Sequence, residues 1–190
     1  MDDRLYSNVE DEDDKFVLRD GETYFFENGR IEPGTHPDFD EGCVPRGTFA
    51  VAKNNSELFT ESGSCVITCL RETGEKIGAM IHIDFSHIPD TSNSVFEKLY
   101  DTLFERFPQI SSDAKVDILI NSDEAEDLHQ SEDFINRWLE GMTAYFQERD
   151  FEEVNIVKQS TPMLVRVDTE SGSILVTDSE NEELVYFEDR

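Results

Sequence analysis

Two neighbouring stretches of the sequence decide how the chain folds: Ser64-Cys-Val-Ile-Thr-Cys-Leu70 and Lys76-Ile-Gly-Ala-Met-Ile-His-Ile-Asp84. Both are rich in small and β-branched residues, a composition typical of buried strands. The turn Glu72-Thr-Gly-Glu75 separates them and predicts a hairpin-like pair. Because strands joined by a short turn lie side by side, we expect Cys65, near the start of one strand, to lie close to His82, towards the end of the other.

Around this pair the sequence alternates between strand and helix patterns. Apolar residues at helical spacing predict two amphipathic helices, from Ser94 to Phe107 and from Ser131 to Arg149. Further strands are predicted at Thr48–Ala52, Lys115–Ile120, Phe151–Val157, Met163–Asp168, Ser173–Thr177 and Leu184–Phe187. This order favours an α+β fold or a layered α/β/α domain, with a largely antiparallel or mixed sheet and two main helices.

The first 42 residues differ in composition from the rest of the chain. They are rich in Asp, Glu, Gly and Pro, and we predict an acidic N-terminal extension at 1–42 followed by one domain at 43–190. Within the extension, the apolar segment Glu22-Thr-Tyr-Phe-Phe-Glu27 is followed by Asn28-Gly29, a pattern typical of a hairpin strand and its turn.

The charge balance excludes several classes of partner. The chain carries 44 acidic and 16 basic residues, a formal net charge of -28. Nucleic acid and anionic membrane surfaces are therefore disfavoured as partners, because both require clustered Lys and Arg. No apolar run is long enough to cross a bilayer, and the acidic start lacks the pattern of a secretory signal, which favours a cytoplasmic protein. The acidity is typical of a solubilised or salt-adapted surface, with a basic partner as the alternative.

The three cysteines, Cys43, Cys65 and Cys69, do not form the regular framework of a disulfide scaffold. The C-x3-C spacing of Cys65 and Cys69 is not accompanied by a second Cys/His pair at the spacing of a zinc site. Glycine-rich phosphate loops and nucleophile elbows are absent from the sequence. We therefore expect neither a metal nor a cofactor, and we interpret Cys69 as a core residue and leave Cys43 unassigned.

The remaining histidines offer weaker candidates than His82. His87 and Asp84 lie close to it and would suggest a metal site, but alternation along a strand sends His87 to the opposite face. We interpret His87 as a loop residue. His36 and His129 stand in polar segments without partners at ligand spacing.

Cys65 and His82 could perform covalent chemistry together. Cys65 follows Gly63-Ser64, and a small, flexible turn before a strand can leave backbone N–H groups available to an oxyanion. A free thiol has a pKa of about 8.5, so a nearby histidine is needed to form the reactive thiolate near neutral pH. Either residue alone is usually a packed core side chain, and only the surrounding pattern makes the pair informative.

That pattern resembles the CheD family of chemoreceptor glutamine deamidases over residues 47–84. The similarity lies in three segments: Phe49-Ala-Val-Ala-Lys53, Gly63-Ser-Cys-Val-Ile-Thr-Cys-Leu70 and Lys76-Ile-Gly-Ala-Met-Ile-His82. In that family a G-S-C-V strand carries the nucleophilic cysteine, and an I-G-x-M-x-H strand carries the histidine 17 residues later, the spacing that separates Cys65 from His82.

The resemblance implies a catalytic mechanism and a class of partners. Cys65 would attack a glutamine carboxamide in another protein, His82 would protonate the departing ammonia, and water would then release glutamate. Family members also use a threonine shortly before the cysteine, for which Thr60 is the best match. The implied substrates are glutamines on the cytoplasmic helices of chemoreceptors, and the implied further partner is an adaptation phosphatase.

Several loops depart from the family pattern, which bears on the substrate more than on the catalytic pair. The glycine-rich segment before the second helix is replaced by Asn121-Ser-Asp-Glu-Ala-Glu126, and the Leu-Pro after the histidine by Ile83-Asp-Phe-Ser86. Two alternatives therefore stand beside a chemoreceptor deamidase. One is a deamidating effector or toxin that acts on another protein, and the other is a docking module in which catalysis is reduced or lost.

Overall fold

A seven-stranded sheet and a four-stranded sheet form the framework of the protein, seen in a computed structural model. The structure describes residues 22–27, 30–35, 42–46, 48–53, 57–63, 65–72, 74, 76–84, 94–121 and 132–188. The strands are β1 (Glu22–Glu27), β2 (Arg30–Thr35), β3 (Thr48–Lys53), β4 (Glu57–Ser62), β5 (Cys65–Glu72), β6 (Ile77–Asp84), β7 (Lys115–Asn121), β8 (Val154–Gln159), β9 (Met163–Asp168), β10 (Ile174–Asp178) and β11 (Leu184–Glu188).

The larger sheet has the strand order β2-β1-β3-β6-β5-β7-β8. Its described neighbours pair antiparallel except for β7 and β8, which run parallel. The two central strands, β5 and β6, are paired along their whole length, as the turn between them predicts. Side chains on both faces of β5 are buried, so this strand lies between two packed layers.

The second sheet, in the order β11-β10-β9-β4, covers one face of the larger sheet. The two sheets approach closely at Gly78 of β6, where an added Cβ would lie 3.2 Å from Thr169 Cγ2 and 3.3 Å from Val167 Cγ1. Because both contacts are tighter than ordinary van der Waals packing, a glycine at this position lets the sheets meet.

Two helices, α1 (Ser94–Arg106) and α2 (Glu132–Gln147), cover the other face. Tyr100 of α1 lies 2.5 Å from the hydroxyl of Thr68 on β5, and Phe146 of α2 packs edge-on against Tyr100 with ring centroids 5.0 Å apart. The predicted α+β class, the largely antiparallel sheet and the two main helices are confirmed. The second face carries a sheet, so the layers run helices, sheet, sheet rather than the α/β/α order that the sequence suggested.

The predicted N-terminal hairpin forms the edge of the larger sheet. Glu27 of β1 pairs with Arg30 of β2, which leaves a two-residue connection, and Thr23 pairs with Thr48 of β3. Part of the acidic segment therefore shares a sheet with the rest of the chain, while the division at residue 43 stays a prediction. Among the helices that the structure describes, none has the length and apolar composition needed to cross a membrane.

A charged cluster lies between the two sheets, at the end of β5 remote from Cys65. Arg71 and Asp117, both almost fully buried, form an ion pair, and Arg71 also donates to the Gly172 carbonyl at 2.9 Å. Glu188 of β11 lies 3.1 Å from the same guanidinium. Burial alone would raise the pKa of Glu188. Hydrogen bonds from Tyr186 and other donors, together with the Arg71 charge, outweigh this effect and lower the pKa to about 2. Glu188 is therefore ionised at neutral pH and ties β11 to the larger sheet.

Candidate functional site

Cys65 and His82 lie on the same face of the larger sheet. In the β5–β6 register, Cys65 is opposite Asp84 and Ile67 is opposite His82. Residues that face each other in an antiparallel pair project to the same side, so Cys65 and His82 are diagonal neighbours. Such positions have Cα atoms about 7–8 Å apart, within reach of long side chains. The hairpin thus brings together the two strand ends that the sequence predicts to meet.

Thr60 reaches the histidine from the second sheet. Its Oγ1 lies 2.8 Å from His82 Nδ1, although β4 and β6 belong to different sheets. Thr60 occupies an inward position of β4, opposite Val165 of β9, and is almost fully buried. The face of the larger sheet that carries Cys65 and His82 is therefore the face covered by β4.

The carbonyl of Val44 also contacts the imidazole and indicates where its proton lies. Thr60 Oγ1 donates to this oxygen at 2.7 Å, and His82 Nδ1 lies 3.0 Å from the same oxygen. A carbonyl only accepts, so Thr60 uses its single proton on Val44, and Nδ1 must itself be a donor. All three contacts are satisfied together when Nδ1–H points towards Thr60 and Val44. In the neutral ring, Nε2 then carries the lone pair that a general base needs.

A short ladder of main-chain hydrogen bonds holds Val44 in place. The Val44 amide donates to Phe59 O at 2.8 Å, and the Phe59 amide donates to Gly42 O at 2.8 Å. Cys43, between them, forms a parallel bridge with Phe59. The segment before β3 is thus fastened to β4 next to Thr60, which makes the acceptor for the imidazole part of the framework.

The turn that leads into Cys65 is closed by a buried hydroxyl. Ser62 is 1% exposed, and its hydroxyl donates to the Cys65 carbonyl at 3.4 Å. This hydrogen bond bridges the connection between β4 of the second sheet and β5 of the larger one. Gly63 is half-buried in this turn, whereas Ser64, the other residue predicted to serve the oxyanion, lies outside the described residues. The role of Gly63 and Ser64 as oxyanion donors stays a prediction.

The three candidate residues are well shielded from bulk water. Cys65 and His82 are each 4% exposed and Thr60 is 2% exposed. Hydrogen bonds and charge interactions are stronger in such surroundings than at an open surface. A substrate would have to present its reacting group on a slender side chain.

The other two cysteines have different surroundings. Cys69, on the same strand and face as Cys65, is fully buried. Burial, reinforced by the nearby charge of Asp117, raises the pKa of its thiol well above the ordinary value. Such a thiol stays protonated and inert, in agreement with the predicted core role. Cys43 is partly exposed in the segment beside β4.

The Val44 carbonyl is a part of the site that could not be predicted from the sequence. The Val44 carbonyl carries no side-chain signal, and it lies 16 residues before Thr60 in the chain. His36, His87 and His129 are outside the described residues. Among the residues that the structure describes, no group of His, Cys, Asp and Glu side chains is arranged to hold a metal ion.

Two comparisons with known sequences were negative. No protein-family model matches the chain, and no curated protein sequence matches it.

We expect Thr60→Val to lower any Cys65-dependent activity by roughly 10- to 100-fold, by analogy with the loss of a residue that orients a metal-bound histidine. Valine keeps the volume but offers His82 no oxygen, so Nδ1 loses the Thr60 acceptor and keeps the Val44 carbonyl. Thr60→Ser retains the hydroxyl and is expected to restore most of the activity. The measurement is the pH profile of Cys65 alkylation by iodoacetamide. Equal profiles for all three proteins would exclude a positioning role for Thr60.

Proposed function

We propose that this protein is a cysteine-dependent protein-glutamine deamidase, with Cys65 as nucleophile, His82 as acid and base and Thr60 as the residue that orients His82. The observation that carries the proposal is the hydrogen bonding of His82 Nδ1 to Thr60 and Val44 on the face that carries Cys65. This arrangement leaves the opposite ring nitrogen to accept the thiol proton.

The reaction proceeds through a thioester. His82 Nε2 takes the proton from the Cys65 thiol, and the thiolate attacks the carboxamide carbon of glutamine. The tetrahedral intermediate expels ammonia, which leaves with the proton from His82, and the acyl group stays on sulfur. His82 then removes a proton from water, hydroxide adds to the thioester, and glutamate and the thiol are released. The sum of the steps is glutamine plus water giving glutamate plus ammonia.

The burial of Cys65 and the net charge of the protein restrict which substrates could bind. Glutamine presents its carboxamide at the end of an unbranched side chain, which suits a thiol that is only 4% exposed. The net charge of -28 repels acidic partners, so the target glutamine is expected in a neutral or basic surface. The resemblance to CheD makes cytoplasmic chemoreceptor helices the first substrates to test and an adaptation phosphatase the first partner. It also implies a cytoplasmic location.

Two other functions remain to be compared with this proposal. A deamidating effector would use the same site on glutamines of another protein. A docking module would keep the fold, but its Cys65 thiol would be no more reactive than those of Cys43 and Cys69. The reactivity of Cys65 therefore distinguishes a docking module from either kind of deamidase.

The test combines thiol labelling with mass spectrometry of substrates. At neutral pH we expect iodoacetamide to modify Cys65 much faster than Cys43 or Cys69. Chemoreceptor cytoplasmic fragments incubated with the protein are expected to gain the mass that accompanies conversion of an amide into an acid. Similar slow labelling of all three thiols would contradict the proposal and favour a docking module, whereas selective labelling without a change in receptor mass would point to another protein substrate.

A further inference from the structure

Asn121, at the end of β7, lies beside Cys65. The register of β5 and β7 pairs Ile67 with Leu119 and Val66 with Ile120. Both strands extend one residue further, which places Cys65 opposite Asn121. Residues directly opposite in an antiparallel pair have Cβ atoms about 4.5–5.5 Å apart and project to the same face. The amide of Asn121 therefore lies next to the thiol, on the side of β5 away from His82.

The burial of Asn121 is unusual for its residue type. Its side chain is 0% exposed, although asparagine is mostly found at protein surfaces. It lies on the same face as Asp117 and Leu119, which is the face that carries Cys65 and His82. This face thus carries an imidazole on β6, diagonal to the thiol on β5, and a carboxamide on β7 directly opposite that thiol. Of the inward residues of β7, Asn121 is the one that lies nearest to Cys65.

We infer that Asn121 is a catalytic residue that binds the carbonyl oxygen of the substrate carboxamide, an inference that rests on the proposed deamidase function. When the Cys65 sulfur attacks the carbonyl carbon, the C=O π bond opens and its electron pair moves to oxygen. An N–H of the Asn121 side chain donates to that oxygen and stabilises the developing negative charge. When the tetrahedral intermediate collapses, the C=O bond re-forms, the C–N bond breaks and ammonia leaves with the proton from His82.

The test compares two reagents that share a thiolate but differ in their need for an oxyanion donor. Iodoacetamide reacts by direct displacement of iodide by sulfur. A peptide whose glutamine carboxamide is replaced by a chloromethyl ketone reacts through attack on the ketone, which places negative charge on oxygen, and ends with loss of chloride and a carbon–sulfur bond. The ratio of the two rates at Cys65 measures oxyanion stabilisation independently of how much thiolate is present.

We expect Asn121→Leu and Asn121→Asp, which both lack the N–H donor, to lower this ratio by about tenfold or more, part of the 10²–10³ that a lost oxyanion donor costs in kcat. Gln159→Leu is the matched control, because Gln159 is an amide residue opposite Asn121 on β8, one strand further from Cys65. The control ratio is expected to stay at the wild-type value.

Each other outcome has a distinct meaning. An unchanged ratio in both Asn121 variants overturns the inference and leaves the proposed deamidase intact. A parallel loss of both reactions with a lowered melting temperature identifies Asn121 as structural and also overturns it. A wild-type Cys65 that reacts with neither reagent faster than Cys43 contradicts the proposed function itself.

Discussion

Replacing Cys65 by alanine is expected to abolish ammonia release and the conversion of glutamine into glutamate. The proposed thioester needs the sulfur itself, so no neighbouring group can substitute for it. We expect the rate to fall to background, as in a serine protease whose nucleophile is removed, where the loss is on the order of 10⁶-fold. Ammonia release and mass spectrometry of the substrate provide the measurement.

The matched control for this variant is Cys69→Ala. Cys69 is on the same strand and the same face, four positions along, and its thiol is fully buried. Removing it is expected to cost some stability, as for other small truncations in a core, without changing the rate per folded molecule. Retention of activity in Cys65→Ala, or its loss only in Cys69→Ala, would refute the assignment of Cys65 as nucleophile.

Replacing Arg71 by methionine is expected to lower the free energy of unfolding by about 3–5 kcal/mol, because it leaves a buried carboxylate uncompensated. Asp117 is 0% exposed, and burial raises its pKa while the Arg71 charge opposes that rise. Without the guanidinium, Asp117 and Glu188 repel each other and the contact to the Gly172 carbonyl is lost. A loss of this size is a large fraction of the roughly 5–15 kcal/mol that stabilises a typical domain.

Urea unfolding of three variants tests this explanation. Arg166→Met removes an exposed ion pair with Glu57 and is expected to change stability by about 1 kcal/mol or less. The double variant Arg71→Met with Asp117→Leu removes both buried charges and is expected to regain much of the loss. If the double variant is as unstable as Arg71→Met, the cost comes from lost packing rather than from the unpaired charge.

The strands at the centre of the fold were predicted from their buried, apolar composition. β5 and β6 have continuous runs of small and β-branched residues, and the segment Met163–Asp168 of β9 was predicted with its observed bounds. The second strand of the N-terminal hairpin, β2, was not assigned, and neither was β4, whose inward positions are Leu58, Thr60 and Ser62. Two of these three are polar, which weakens the alternation that signals a half-buried strand. Thr60, which contacts His82, and Ser62, which closes the turn before Cys65, are thus the polar residues that made β4 hard to predict.

The site itself was predictable only as far as local geometry reaches. A short turn between β5 and β6 is enough to predict that Cys65 and His82 are neighbours. The placement of Val44 and Asn121 depends on contacts between segments far apart in the chain: a backbone ladder in one case and a strand pairing with β7 in the other. The layer order could not be predicted either, because a meander of short strands can form its own sheet or join an existing one.

The acceptor that Val44 gives to the imidazole belongs to the main chain, and every amino acid carries the same carbonyl. A point mutation at position 44 can alter packing, but it cannot delete this oxygen. Substitutions at position 44 are therefore not expected to change which nitrogen of His82 carries the proton. It remains sensitive to insertions, deletions or prolines that redirect the segment beside Phe59, and these are the changes by which a descendant of this protein would lose the orientation of its histidine.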